Sequence, residues 1–226
     1  METSKARMDV LKKVKEKRGY LLPYHELFGC MDPLLLEKYD EFYTEVTLKT
    51  KVLDNKTKEF VWIGILACAS EEAGTIHLKR ARDAGITDDE ISDVIILTQV
   101  ALGFNVLRFV EKKWGSFLPN IRVTEVYDRF LKHLKKNVRL PEKTVELIFI
   151  GIYAALEVKE GLSFHLLRAK ECGVRDEEIA EAMSFIVLPR GANTMLEAAG
   201  VLKNLVKEGK YKPDSIFKYW TSDVQI

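Results

Sequence analysis

The 226 residues are 47% apolar and 31% charged, a composition that excludes a disordered chain and suits a soluble globular protein. Thirty-five Lys and Arg nearly cancel thirty-four Asp and Glu, so the net charge of +1 gives no electrostatic reason to expect nucleic acid or an anionic membrane as partner. Three cysteines without a CxxC pair exclude a dithiol centre and a four-cysteine zinc site, and they suit a reducing compartment.

Taken in chain order, the elements read as helices, and no period-two strand pattern is convincing. The N-terminus is charged and lacks the apolar core of a secretion signal, so a cytoplasmic protein is expected. Residues 8–18 form a basic amphipathic opening helix. Asp32-Pro33 supplies an N-cap and a first-position proline for a helix running to about residue 50. Asp54 starts the next helix, whose apolar run over 60–69 is about half of the roughly 20 residues a membrane span needs. A helix carrying His77 stops at Gly85, and Thr87-Asp88-Asp89-Glu90 resembles a capping box for the helix after it. That helix covers 88–112 and either continues through Gly103 or breaks there. Residues 115–123 read as a connection. Leu140-Pro141-Glu142 opens a second apolar run over 147–156. A helix carrying His165 then stops at Gly173, and residues 176–207 form one helix or two broken near Gly191. In the tail, Phe217, Tyr219 and Trp220 are expected to cover a neighbouring surface.

The chain contains itself twice. Residues 39–105 lie over 127–193: Tyr39-Asp40 over Tyr127-Asp128, FVWIGILACA over LIFIGIYAAL, and HLKRARDAGITDDEI over HLLRAKECGVRDEEI. The offset is 88, falls to 87 between Leu53 and Gly64, and returns to 88 at the histidines. Gaps belong in loops, so a loop is expected before each apolar helix and before each histidine helix. Two copies imply domains at 1–115 and 116–226 that pack as a pseudo-dimer.

No phosphate loop, HExxH or GxSxG is present. What recurs is a carboxylate and an imidazole beside the most apolar helix of each copy: Glu59 with His77, and Glu146 with His165. Such a pair can act as general base and acid, because burial and a neighbouring charge move both groups toward neutrality. Each residue also has a structural reading. A first-turn Glu complements the helix dipole, and a helical His often serves as a hydrogen-bonded core residue. His25 is a weaker candidate for a pocket mouth, and His133 reads as a solvated face. Arg190, with Leu102 as its counterpart, is a candidate binder of a substrate carboxylate. Trp62 and Phe149 read as core, and Cys68 as a buried, inert thiol. No set of carboxylates and histidines has metal-ligand spacing.

The ordered set Lys56-Thr57-Lys58-Glu59, His77, Ala81, Gly85, Glu90-Ile91, repeated as Lys143-Thr144-Val145-Glu146, His165, Ala169, Gly173, Glu178-Ile179, resembles the carboxymuconolactone decarboxylase and alkyl hydroperoxidase D superfamily. The resemblance covers about residues 18–207. It implies an all-α bundle, two tandem copies, and assembly into homo-oligomers such as trimers of pseudo-dimers. The peroxidase branch places a CxxC ahead of its histidine. The corresponding positions here are Ser70 and Ala73, and Val158 and Gly161, so thiol peroxidase chemistry is not expected. The decarboxylase branch implies a lyase or isomerase for a small carboxylated or lactone substrate, with no cofactor or metal. His77 and His165 would be its proton carriers, and Glu59 and Glu146 their partners. The second copy offers the better site, because it adds Arg190 and keeps twelve positions between Glu146 and Val158. A non-catalytic ligand-binding or scaffold protein is the alternative.

Overall fold

The computed structural model describes residues 2–214, 217, 218 and 220. Tyr219, one of the three aromatic residues expected to cover a surface, lies outside them; Phe217 and Trp220 meet edge to face with centroids 5.8 Å apart. The described residues are helical, without a strand, in two compact units, Met1–Lys49 and Thr50–Ile226.

The first unit holds α1 (Glu2–Arg18), α2 (Pro23–Met31) and α3 (Pro33–Tyr43). Val10, Val14 and Leu36 form its small core, with Leu11, Phe28 and Tyr39 packed against them. Asp32 caps α3 as the sequence predicts, its carboxylate accepting the Leu34 N–H at 3.0 Å. The helix expected to reach residue 50 ends earlier. A π-helical turn over Thr44–Leu48 replaces its last turns, in a stretch rich in β-branched residues where the Thr44 hydroxyl donates back to the Asp40 carbonyl at 2.6 Å. The opening helix starts at Glu2, six residues ahead of the expected start.

The second unit carries α4 (Asn55–Cys68), α5 (Gly74–Asp83), α6 (Asp88–Trp114), α7 (Val123–Leu134), α8 (Glu142–Ala155), α9 (Lys159–Glu171), α10 (Asp176–Ser184) and α11 (Val187–Lys207). The two apolar runs become α4 and α8 and cross at the centre. Close approach needs glycine on both sides. A Cβ on Gly64 would lie 3.1 Å from Ile152, and one on Gly151 would lie 2.8 Å from Val61. Val61 and Gly64 align with Ile148 and Gly151 in the repeat, so the crossing is reciprocal, as at a two-fold axis.

The same reciprocity governs the loops before these helices. The Asp93 carboxylate on α6 accepts the Arg139 N–H at 2.8 Å, ahead of α8. Its repeat counterpart, Glu181 on α10, accepts the N–H groups of Val52 and Leu53 at 2.8 Å, ahead of α4. Each copy thus ties down the other copy's loop.

The gaps fall where loops were expected. Ser70 and Glu157 both adopt φ 57°, ending α4 and α8 in the same left-handed turn. After that turn, α9 begins six residues before His165, whereas α5 begins three residues before His77. The capping box at Thr87 is present: Glu90 accepts the Thr87 N–H at 2.8 Å and Thr87 accepts the Glu90 N–H at 3.2 Å. The copies part at their last helices. α6 runs unbroken through Gly103, and by length and composition alone it is the one helix among the described residues able to cross a membrane. In the second copy the chain breaks after Ser184, and Gly191 sits at φ 85°, outside helical geometry.

Candidate functional site

Most residues of the repeated motif serve the fold. Lys56 donates to Glu90 at 3.0 Å, joining the starts of α4 and α6. Lys143 instead donates to the Gly173 carbonyl at 2.7 Å. Ala81 and Ala169 are fully buried, and Gly85 and Gly173 take φ of 75° and 79° beyond α5 and α9.

What remains is the pair predicted in each copy, and both pairs form. His77 Nδ1 lies 2.7 Å from Glu59 Oε2, and His165 Nδ1 lies 2.6 Å from Glu146 Oε2. One α4 turn and one α5 turn bring the first pair together; α8 and α9 do the same for the second. All four side chains are buried. Burial holds both imidazoles below their ordinary pKa despite the adjacent carboxylates, so each is neutral near pH 7. A neutral imidazole beside a carboxylate donates from Nδ1, which leaves Nε2 as the acceptor.

The pairs differ at Nε2. In the second copy the Tyr127 hydroxyl sits 3.0 Å from His165 Nε2 and 2.6 Å from the Tyr153 hydroxyl. Tyr153 therefore donates to Tyr127, Tyr127 to His165, and His165 to Glu146. Lys135 and Arg168 close the chain by donating to Glu146 Oε1 at 2.6 and 3.2 Å. Burial alone would raise the Glu146 pKa, but the bonds from His165 and Lys135 outweigh it and hold the carboxyl at about 2. The His165 ring lies against Phe149 and Tyr153, with centroids 4.2 and 5.2 Å away. A Cβ on Gly161, where the peroxidase pattern has its second cysteine, would sit 2.5 Å from the Tyr153 ring. No thiol fits there.

In the first copy His77 Nε2 has no hydrogen-bond partner among the described residues. The ring stacks on Trp62 at 4.6 Å, and Trp62 stacks in turn on Phe185 at 5.1 Å. Trp62 Nε1 is buried and also without a partner among the described residues. Lys58 and Arg80 act electrostatically on His77, and Lys58 is itself buried, which lowers its pKa. Leu66 stands where the second copy has Tyr153, and Tyr39, the repeat counterpart of Tyr127, has its hydroxyl 2.7 Å from that of Tyr24.

The other candidates lie elsewhere. Arg190 is exposed and donates to the Ala155 carbonyl at 3.1 Å, so it meets neither imidazole and does not make the second copy the better site. His25, expected at a pocket mouth, is fully buried in the first unit, with Nε2 2.9 Å from Arg18 Nη1. His133 is exposed, as expected. Trp62 and Phe149 are core residues, and both also carry the imidazoles. Cys68 is half-buried, and burial pushes its thiol up to about 12, far from a reactive thiolate. Lys135, Arg168, Tyr127 and Tyr153 were missed as members of the site. Arg80 and Arg168 recur three positions after each histidine, and that recurrence was available as a signal; Lys135 aligns with Thr47 and left none.

Residues 33–112 and 122–204 each match the model of the carboxymuconolactone decarboxylase family. A comparison with curated proteins returned no match. Among solved structures, a protein of Burkholderia xenovorans LB400 named as a candidate gamma-carboxymuconolactone decarboxylase subunit superposes with a TM-score of 0.59. It is 20% identical over 92% of this chain and 98% of that one, a likeness of fold. With two tandem matches spanning most of its length, the chain belongs to the carboxymuconolactone decarboxylase family.

Proposed function

We propose that the protein is a cofactor-independent lyase or isomerase for a small carboxylated or lactone substrate, working at His77 in the first copy. The observation that carries this reading is the unequal state of the two imidazoles: among the described residues His77 Nε2 has no partner, whereas His165 Nε2 has Tyr127. Loss of carbon dioxide, or migration of a double bond, leaves an electron pair on a carbonyl-conjugated carbon that must receive a proton. A neutral imidazole anchored at Nδ1 takes up a proton at Nε2 and returns it to carbon, while Glu59 stabilises the imidazolium formed between the two steps. The Trp62 N–H is a spare donor beside the ring, and the charges of Lys58 and Arg80 favour an anionic substrate.

The test is turnover of a panel of lactone acids and oxo-acids by the parent chain and by His77→Gln, Glu59→Gln and His165→Gln. His77→Gln is expected to lose on the order of a hundredfold or more in kcat. His165→Gln is expected to keep kcat within a few-fold while lowering stability. Loss of turnover in His165→Gln with retention in His77→Gln would refute the assignment. Ligand binding without turnover in the parent would favour the non-catalytic reading.

A further inference from the structure

The unequal copies leave two polar atoms of one aromatic stack unmatched. His77 Nε2 and Trp62 Nε1 both lack a hydrogen-bond partner among the described residues. Trp62 is 2% exposed and His77 5%. Their rings lie nearly parallel, at 25°, with centroids 4.6 Å apart, so both nitrogens sit on the rims of one stack. The repeat shows that this stack does not need an indole. Phe149 holds the equivalent place in the second copy and stacks on His165 at 4.2 Å. A phenyl ring thus packs on the imidazole without a buried N–H to satisfy. An unmatched buried donor costs free energy, and only the first copy bears that cost.

The second copy departs from the first at the residue that holds the indole. Phe185 stacks on Trp62 at 20° and 5.1 Å, and it lies where the chain breaks after Ser184. Its repeat counterpart, Leu97, sits inside the unbroken α6. The break in the second copy therefore delivers an aromatic ring to the first copy's indole. The two unmatched atoms have opposite requirements. An indole N–H only donates, and Nε2 of the neutral imidazole only accepts. Their complement is a ligand with an acceptor oxygen close to a proton it can give up. A carboxylate ion offers oxygens to both atoms and a proton to neither. A carbonyl with a hydrogen on the adjoining carbon supplies both parts.

We infer that the Trp62 N–H binds the carbonyl oxygen of the substrate, and that the His77 site takes an enolisable carbonyl compound. The inference rests on the reading of His77 as the proton carrier. The proton leaves the carbon beside the carbonyl for His77 Nε2. The electron pair of that C–H bond becomes the carbon–carbon double bond of an enolate, and the carbonyl π pair moves onto the oxygen. The Trp62 N–H donates to that oxygen, and does so more strongly as negative charge grows there. Return of the proton to the same carbon, or to a conjugated one, restores the neutral imidazole.

NMR of the indole N–H groups tests this. The chain has three tryptophans, and the resonance missing from Trp62→Phe is that of Trp62. Levulinate and valerate share a chain length and a carboxylate, and butyrolactone and tetrahydrofuran share a ring; each pair differs in the carbonyl. The Trp62 resonance should move downfield with levulinate or butyrolactone and stay in place with valerate and tetrahydrofuran. In heavy water the parent should place deuterium on the carbon beside the carbonyl. Trp62→Phe should do so about a hundredfold more slowly while keeping the helix content of the parent. A Trp62 resonance that ignores both carbonyl compounds, or moves equally with their carbonyl-free partners, would overturn the inference. So would deuterium uptake that is lost in His77→Gln and unchanged in Trp62→Phe, a result that leaves the reading of His77 standing. Uptake absent from the parent, or unchanged in His77→Gln, would remove that reading instead, while a carbonyl-specific shift would still place the oxygen at Trp62.

Discussion

At the scale of single residues, the repeat presents one sequence pair in two electrostatic settings. His165 has every hydrogen-bonding group matched: Tyr127 at Nε2, Glu146 at Nδ1, and Lys135 and Arg168 on the far carboxylate oxygen. A fully satisfied buried network rigidifies a core and has no valence left for a substrate. Tyr127→Phe therefore becomes informative. It removes one hydroxyl, leaves His165 Nε2 buried and unpaired, and deprives Tyr153 of its acceptor. The expected cost is about 1–3 kcal/mol in denaturant unfolding, with kcat unchanged. A Tyr127→Phe variant that unfolds like the parent would show that the chain of hydroxyls contributes nothing. The pairs themselves were legible in the sequence, because a carboxylate and an imidazole recurring at one spacing need an explanation. The phenols were not, since a Tyr in an apolar run reads as core until its hydroxyl is seen to face a ring nitrogen. Arg190 misled for the opposite reason: its chemistry suited an anionic ligand, but its position gave it to a helix-end carbonyl.

At the scale of elements, helix starts were legible because capping is local. Asp32, Asp54 and Thr87 each accept a backbone N–H within three residues of their own position. Helix continuity was not legible, because it depends on what a turn packs against. Gly103 and Gly191 share one repeat position, yet Gly103 is helical and Gly191 is held at φ 85°. Around Gly191, Arg190 bonds the end of α8 and the Thr194 hydroxyl donates to Glu157 at 2.7 Å, so the second copy folds back where the first runs on. One substitution should then have opposite signs at the two sites. Gly103→Ala adds a Cβ into open space on a helix and should stabilise by about 0.5–1 kcal/mol through helix propensity. Gly191→Ala forces a side chain into the left-handed region and should destabilise by about 1 kcal/mol or more. Thermal unfolding of the two variants checks this, and equal shifts of one sign would contradict the broken-helix geometry. The α4–α8 crossing makes a companion case. Gly151→Ala places a Cβ 2.8 Å from Val61, in a well-packed contact, and should cost about 1–3 kcal/mol.

At the scale of the whole molecule, acid should undo the fold through its imidazoles before its carboxylates. His25, His77 and His165 are all buried, and all have folded pKa values below the ordinary 6.5; burial and the nearby Arg18 take His25 down to about 4. The unfolded chain binds these protons near pH 6.5, and the folded chain does so only at lower pH. Unfolded molecules therefore hold more protons throughout the interval between, and stability falls as pH falls through it. His25 alone accounts for about 3 kcal/mol between pH 6.5 and 4, at roughly 1.4 kcal/mol per pKa unit. Glu146 follows in a lower window. Its carboxyl is held at about 2 against an ordinary 4.5, so the stability it contributes is complete above pH 4.5 and is lost between there and 2. Urea unfolding followed by circular dichroism at a series of pH values should show a decline that begins near pH 6.5, well above the carboxylate range. The His25→Gln variant should be flatter over that first interval and should still lose stability below pH 4.5. A parent chain whose stability stays level down to pH 4.5 and then collapses would place acid sensitivity in the carboxylates alone, and would mean that the three imidazoles are not held neutral by the fold.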